Sequence, residues 1–344
     1  MQDNMQLSLI CTTHFSRRNG LKMQNLSIDY EGLLLILQEK LRERKLISCD
    51  ETLTLTPCHK IMVNNKIYTH FIITCLYSGE KFFLKISKGN DAAAHCNPYL
   101  MKMSNDVEKY NYPIILVPEF EFNGIHFFVL NFFKGESLDA ISKVLSKKEL
   151  QYISSKVLDR IDELASIHAD LYSVNGAFTK QNCIEILVEK MRKRIMHPVF
   201  KQYSFQNLIN ATQHCKIILN NSLFSKPTLI HMDVKPANII YNTQTGFVSL
   251  IDFEHARFGD YDYGWTQVLL SGINAFDQEY KEIVVPYMTK GRLTLVDAIK
   301  IPKFKCYIFY QTACNLIYYY DHNLECPKDM TWLFQSLLNE LSKE

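Results

Sequence analysis

The chain has 344 residues, 47% of them hydrophobic and 22% charged, which is enough apolar mass for two packed lobes. Its 12 Gly and 10 Pro exclude collagen-like and low-complexity compositions. A net charge of +2 supplies no broad field for nucleic acid or anionic lipid, so partners are expected to be recognised locally, with no nucleic acid and no membrane among them.

In chain order, residues 1–26 read as an N-terminal extension. Between Met1 and Met23 the charges follow a short apolar stretch, and the long apolar region of a secretory signal is missing. The ten cysteines form no Cys-x-x-Cys pair, which favours reduced thiols and a cytoplasmic location. Residues 27–130 are expected to form a first lobe. Ser27 or Asp29 caps a helix running through Leu33, Leu37 and Leu41, and β-branched and aromatic runs from Thr52 to Ser87 then predict a three-stranded meander with turns at Asn64-Asn65 and Ser78-Gly79. A helix over Asp91 to Asn105 and strands over Pro113 to Pro118 and Ile125 to Phe132 complete it.

Residues 131–137 are read as a hinge and 138–344 as a second, mostly helical lobe. Val157, Ile161, Leu164, Ala165 and His168 recur at helical spacing. One β signal interrupts this lobe: Asn238 to Ile251, a hairpin turning at Thr243-Gln244-Thr245-Gly246. The apolar window from Cys306 to Tyr320 is broken by Gln311, Thr312 and Asn315 and is shorter than a bilayer needs; it reads as a packed helix. The fold class is therefore α+β and bilobal, a small antiparallel sheet with helix followed by a larger helical lobe containing a hairpin.

The chemistry concentrates around that hairpin. His231-Met232-Asp233-Val234-Lys235-Pro236-Ala237-Asn238 precedes it and Asp252 follows it in Leu250-Ile251-Asp252-Phe253-Glu254. Asn238 where the loop enters one strand and Asp252 where the other strand ends are expected to face each other. Two such oxygen ligands, with phosphate oxygens and water, suit Mg²⁺. Asp233, one loop away, is placed to accept a hydroxyl proton. Lys235 is placed to balance charge on a travelling phosphoryl group, and His231 to orient the loop.

This pattern resembles the catalytic and metal loops of the kinase-like superfamily, and most of all its aminoglycoside phosphotransferase and choline kinase branch, over roughly residues 50 to 330. Phe82-Phe83-Leu84-Lys85-Ile86 is similar to the strand whose lysine holds nucleotide phosphates, a role the resemblance gives to Lys85. Phe128 to Leu138, with its Lys134-Gly135-Glu136-Ser137-Leu138 end, is similar to the family hinge, which implies that backbone groups near Asn131 and Phe133 bind adenine. The turn at Asn64 and Asn65 stands where a phosphate loop is expected, without a glycine-rich motif. The helix glutamate that normally pairs with the strand lysine is missing between Asp91 and Asn105, so Asp91, His95 or Asn97 is expected to replace it.

The resemblance implies a kinase that uses ATP or GTP with Mg²⁺ to phosphorylate a hydroxyl of a small acceptor. Glu136, Asp139, Glu254, Asp260, Asp262 and Asp277 fall in the regions that line the acceptor site in this branch, so a cationic acceptor such as an aminoglycoside, another antibiotic or choline is expected. Asp260 and Asp262 also match a segment in which an aspartate caps a helix. The alternatives are a metabolic amino-alcohol or sugar kinase, a serine/threonine protein kinase, suggested by the Lys235-Pro236 pair, and a non-catalytic kinase-like binding module.

Overall fold

The computed structural model describes residues 29–63, 66–87, 97–101, 112–168, 179–224, 226–274 and 279–343. The expected extension at 1–26, the turn residues Asn64 and Asn65, and Asp91, His95 and Asp277 lie outside them.

Helix α1 (Tyr30–Glu43) starts where the Asp29 carboxylate accepts from the Gly32 amide at 3.0 Å, and Leu33, Leu37 and Leu41, one turn apart, are its buried stripe. They pack on a five-stranded antiparallel sheet of β1 (Leu53–Val63), β2 (Lys66–Cys75), β3 (Lys81–Ile86), β4 (Ile115–Phe122) and β5 (Ile125–Asn131), in the order β1-β2-β3-β5-β4. Alternation sets the inward face: Phe82, Leu84 and Ile86 of β3 are buried with Phe127 and Val129 of β5. Residues 97–101 are helical, between β3 and β4. The expected strand over Pro113 to Pro118 begins later, at Ile115, because Tyr112 and Ile114 are drawn into the core of the helical lobe.

After β5 the chain passes through Phe132 to Gly135 into β6 (Glu136–Ser137), which joins β8 (Ile239–Asn242) and β9 (Phe247–Leu250) in a small second sheet. The hairpin and its turn stand where the sequence put them. Helix α2 (Leu138–Ile141) is short. Helix α3 (Lys147–Ala165) opens on a reciprocal Ser146–Glu149 capping box and buries Leu150, Ile153, Val157 and Leu164. Helices α4 (Lys180–Arg194) and α5 (Phe205–Asn221) follow. Strand β7 (Thr228–Ile230) pairs with β10 (Arg257–Gly259), and α6 (Tyr261–Asn274), α7 (Val285–Thr289), α8 (Leu295–Ala298), α9 (Pro302–Asp321) and α10 (Lys328–Leu341) complete the lobe. His168 lies just past α3, bridging to Thr228.

Two hydrophobic cores result, one beneath the five-stranded sheet and one among the helices, so the α+β bilobal architecture expected from the sequence is the observed one. The described cysteines are free thiols, and among the described residues no helix is long and apolar enough to cross a membrane.

Candidate active site

The site forms where the hairpin faces the first lobe. Strand β7 ends at Ile230 and the chain turns sharply, with Met232 in the left-handed region at φ 69°. The turn is held by His231, which is buried: its Nδ1 accepts from the Asp233 amide at 3.2 Å, and its Nε2 donates to the Ile251 carbonyl at 2.9 Å. That pattern requires a neutral ring protonated on Nε2. Burial, only partly offset by the Asp233 charge, pushes the imidazole below its ordinary value. Phe253 closes over the ring, centroids 4.5 Å apart.

Asn238 is fixed just as tightly. Its Nδ2 donates to the Asp233 carbonyl at 2.9 Å and to Asp233 Oδ2 at 2.8 Å, while its own carbonyl accepts from the Ile251 amide at 2.9 Å. The carboxamide nitrogen is thus spent on Asp233, and Oδ1 makes no hydrogen bond among the described residues. One residue past Ile251, Asp252 takes a left-handed conformation at φ 63°. Its Oδ1 meets Lys85 Nζ at 2.8 Å, whereas Oδ2 has no such partner among the described residues. Burial opposes ionisation of Asp252, but the Lys85 ammonium, aided by Lys235, outweighs it and holds the carboxyl below the usual aspartate range.

Lys85 itself is 7% exposed and also lies 3.5 Å from Glu254. Among the described residues these two carboxylates come from the far lobe. Asn97, one of the three residues expected to stand in for the missing helix glutamate, clamps β4: its Nδ2 donates to the Ile115 carbonyl at 3.1 Å and its Oδ1 accepts from the Ile115 amide at 2.6 Å. The role of Glu254 in holding Lys85 was not foreseen; only its position two residues after Asp252 hinted at it. Lys235, half exposed, pairs with Asp233 Oδ2 at 2.8 Å.

The structure thus brings Lys85, Asp233, Lys235, Asn238 and Asp252 together. Asn131 and Phe133 stand apart from them. Asn131 donates its amide to the Ile114 carbonyl at 3.2 Å and uses its carboxamide on Tyr112 and Ile114, which leaves this residue little to offer a purine; Phe133 stacks on Phe247 at 5.6 Å. Both line a cavity of about 1310 Å³ on a face of the hinge to which Lys85, Asp233, Asn238 and Asp252 do not contribute.

The acidic residues expected to line an acceptor cleft are largely neutralised. Asp260 and Asp262 flank Lys303 at 2.6 and 2.7 Å, and Asp260 accepts from the Tyr307 hydroxyl at 2.7 Å and from the Asp262 amide at the start of α6. Glu254 is turned to Lys85. Glu136 and Asp139 are exposed.

Among the described residues no three His, Cys, Asp or Glu side chains group as a metal cage. The donor set on offer is instead the two partnerless oxygens, Asn238 Oδ1 and Asp252 Oδ2. Such a set fits a hard cation that takes its remaining ligands from phosphate and water.

Residues 118–283 match the phosphotransferase enzyme family. Among solved structures, the GDP complex of a mutant aminoglycoside 2′-phosphotransferase-IIIa aligns over 90% of this chain and 97% of its own, at 17% identity and a TM-score of 0.54. Plasmodium vivax ethanolamine kinase aligns over 91% of this chain and 89% of its own, at 13% identity and a TM-score of 0.52. Two cell division control protein 7 homologues of Encephalitozoon cuniculi are each 24% identical over 138 residues, 37% of this chain. The match spans 39% of the length of those curated relatives. Over residues 118–283, just under half of its length, the chain is similar to that phosphotransferase family, and its fold is that of these kinase-like structures.

Proposed function

We propose that the protein is a phosphotransferase that moves the γ-phosphoryl group of ATP or GTP to a hydroxyl of a small molecule. The observation that carries this reading is the Asp233–Asn238 clamp facing the Lys85–Asp252 pair. One loop presents a carboxylate to an incoming hydroxyl, and its neighbours present oxygen ligands and an ammonium to a triphosphate.

In this reading Asp233 orients the acceptor hydroxyl and receives its proton. The acceptor oxygen bonds to the γ-phosphorus as the bond from that phosphorus to the β,γ-bridging oxygen breaks, and the nucleoside diphosphate leaves with that oxygen. Lys235, on the exposed side of Asp233, neutralises the transferring group, and Lys85 binds the α and β phosphates. Asn238 and Asp252 would hold Mg²⁺, which supplies charge neutralisation on the phosphates when bound. Backbone groups of the segment from Phe132 to Lys134 would take the base, and Asn64 and Asn65 are assigned to the nucleotide from the sequence. The lobes then divide as residues 27–130, a hinge at 131–137, and 138–344, with a cytoplasmic site of action. An amino alcohol, a sugar and an antibiotic all fall within this acceptor class.

A second reading, transfer to a protein serine or threonine, draws on the Lys235-Pro236 pair and on the curated match to cell division control proteins. The absence of a glycine-rich loop and of an Ala-Pro-Glu segment weighs against it.

Titration of Mg-ATP and Mg-GTP into wild type and Asp252→Asn tests the proposal. Binding in wild type that depends on Mg²⁺ and weakens in the variant supports it; identical affinity in both overturns the metal assignment.

A further inference from the structure

The cavity behind the hinge is lined by charge of one sign. Its volume of about 1310 Å³ is walled by the residues that follow α1, the turn into β3, the hinge, α3 and the turn of the hairpin. Among the described residues five lining side chains are cationic, Lys45, Lys81, Lys134, Lys156 and Arg160, against one carboxylate, Glu80. Lys156 is engaged by Asp159 at 2.9 Å and Arg160 by Glu163 at 2.6 Å. Lys45, Lys81 and Lys134 are exposed, and among the described residues they pair neither with Glu80 nor with any other carboxylate. Three cations of one cavity thus keep their charge for an outside anion.

The surface between these cations is aromatic and is held in place. Phe133 stacks on Phe247 at 5.6 Å, which joins the hinge to the hairpin, and the Lys81 ammonium lies 5.9 Å from the centre of the Phe132 ring. The Tyr152 hydroxyl donates to the Gly246 carbonyl at 3.1 Å and Arg160 Nε to the Val248 carbonyl at 3.4 Å, so α3 fixes the hairpin turn that forms one wall. Phe132, Phe133 and Phe247 are only half-buried and Tyr152 is exposed. Apolar ring surface is therefore open among the charges.

Size and chemistry select among anions. Pockets for small molecules hold about 300–1,000 Å³, and this cavity is larger. An inorganic anion has no apolar part to cover the rings. A nucleic acid needs a broad positive field for its phosphate backbone, which a net charge of +2 does not supply. A peptide carries carboxylates and apolar side chains along one chain, at about 3.3–3.6 Å per residue, and can reach lysines that stand on three separate elements.

We propose that this cavity docks an acidic peptide segment of a partner protein, whose carboxylates meet Lys45, Lys81 and Lys134 and whose apolar side chains cover Phe132, Phe133 and Phe247. Lys85, Asp233, Asn238 and Asp252 do not line it, so the proposal stands apart from the phosphotransferase reading.

The test is fluorescence anisotropy of the full chain with a labelled peptide of about eight residues that alternates glutamate with phenylalanine. It is expected to bind saturably, about tenfold or more tightly than a counterpart with lysine for glutamate, and more tightly than one with alanine for phenylalanine. Lys45→Glu and Lys81→Glu are each expected to weaken it about threefold or more. Lys193→Glu, an exposed charge on α4 outside the cavity, is expected to leave it unchanged. No binding of the glutamate peptide, equal binding of either counterpart, or losses in the two cavity variants no larger than in Lys193→Glu overturns the proposal. Displacement of the peptide by an equal concentration of inorganic phosphate or of oligothymidylate overturns it as well, because the cavity would then hold anions without regard to the chain that bears them.

Discussion

Lys85 Nζ lies 2.8 Å from Asp252 Oδ1, which joins the third strand of the first lobe to the loop that leaves the hairpin of the second, 167 residues away in sequence. The pair does two things at once. It compensates a cation buried in the sheet, and it pins Asp252, in its left-handed conformation, next to Asn238. Asp252 is a third open to solvent, so the contact is worth less than that of a fully buried pair.

Lys85→Met and Asp252→Asn are each expected to lower unfolding stability by about 1–2 kcal/mol. The double variant is expected to lose less than the sum of the two, with a coupling of about 0.5 kcal/mol or more. Urea denaturation measures all three, and strict additivity contradicts the contact. Because the native carboxyl of Asp252 sits below its ordinary value of 3.8, its contribution is fully present above that pH and is lost as the pH falls through the lower native value.

His231 sets a second pH dependence of defined sign. The unfolded imidazole takes up a proton near 6.5, whereas the native ring resists it because it is buried and must accept at Nδ1. Stability is therefore expected to fall as the pH drops below 6.5 and to stop falling once the native ring also protonates. Thermal melts from about pH 7.5 to 5.5 should show a shallower decline in His231→Asn than in wild type. Equal slopes count against the assigned neutral tautomer.

Gly135 ties the hinge to the hairpin. At φ 157° it is so close to β8 that an added Cβ would lie 2.6 Å from the Tyr241 carbonyl oxygen. Gly135→Ala is expected to cost about 1–3 kcal/mol and to alter nucleotide affinity, because the hinge must move to relieve the clash. Gly79→Ala, at φ 72° in an open turn, carries backbone strain without a clash and should leave nucleotide affinity unchanged. Denaturation and nucleotide titration of both variants check the contrast.

Asn238→Ala removes the oxygen proposed as a metal ligand, leaves the Asp233 carbonyl without its Asn238 donor and leaves Asp233 Oδ2 to Lys235 alone. Nucleotide affinity in the variant is expected to lose its dependence on Mg²⁺, which titration over a range of Mg²⁺ concentrations reads directly. A dependence equal to that of wild type contradicts the placement of Asn238 beside the metal.

Much of this architecture was legible in the chain. Alternation from Thr52 to Ser87, the leucine stripe of α1 and the turn at Thr243 to Gly246 depend on neighbours in sequence, and each gave the element that is found. The hairpin's two ends brought Asn238 and Asp252 together for the same reason. What depends on tertiary contact was not legible. Of Asp91, His95 and Asn97, the residues expected to replace the helix glutamate, Asn97 holds Ile115 and the other two lie outside the described residues, while the described carboxylates at Lys85 arrive from Asp252 and Glu254. Nothing local reveals that Lys303, on α9, occupies Asp260 and Asp262.

The central claim is that Asp233 serves a phosphoryl transfer, and the most direct measurement is the rate at which γ-labelled nucleotide gives up its label, in wild type and in Asp233→Asn. The account predicts Mg²⁺-dependent transfer or hydrolysis by wild type, and a rate about 10²–10⁴ lower in the variant with nucleotide affinity preserved. An Asp233→Asn protein that turns over its nucleotide as fast as wild type would contradict it.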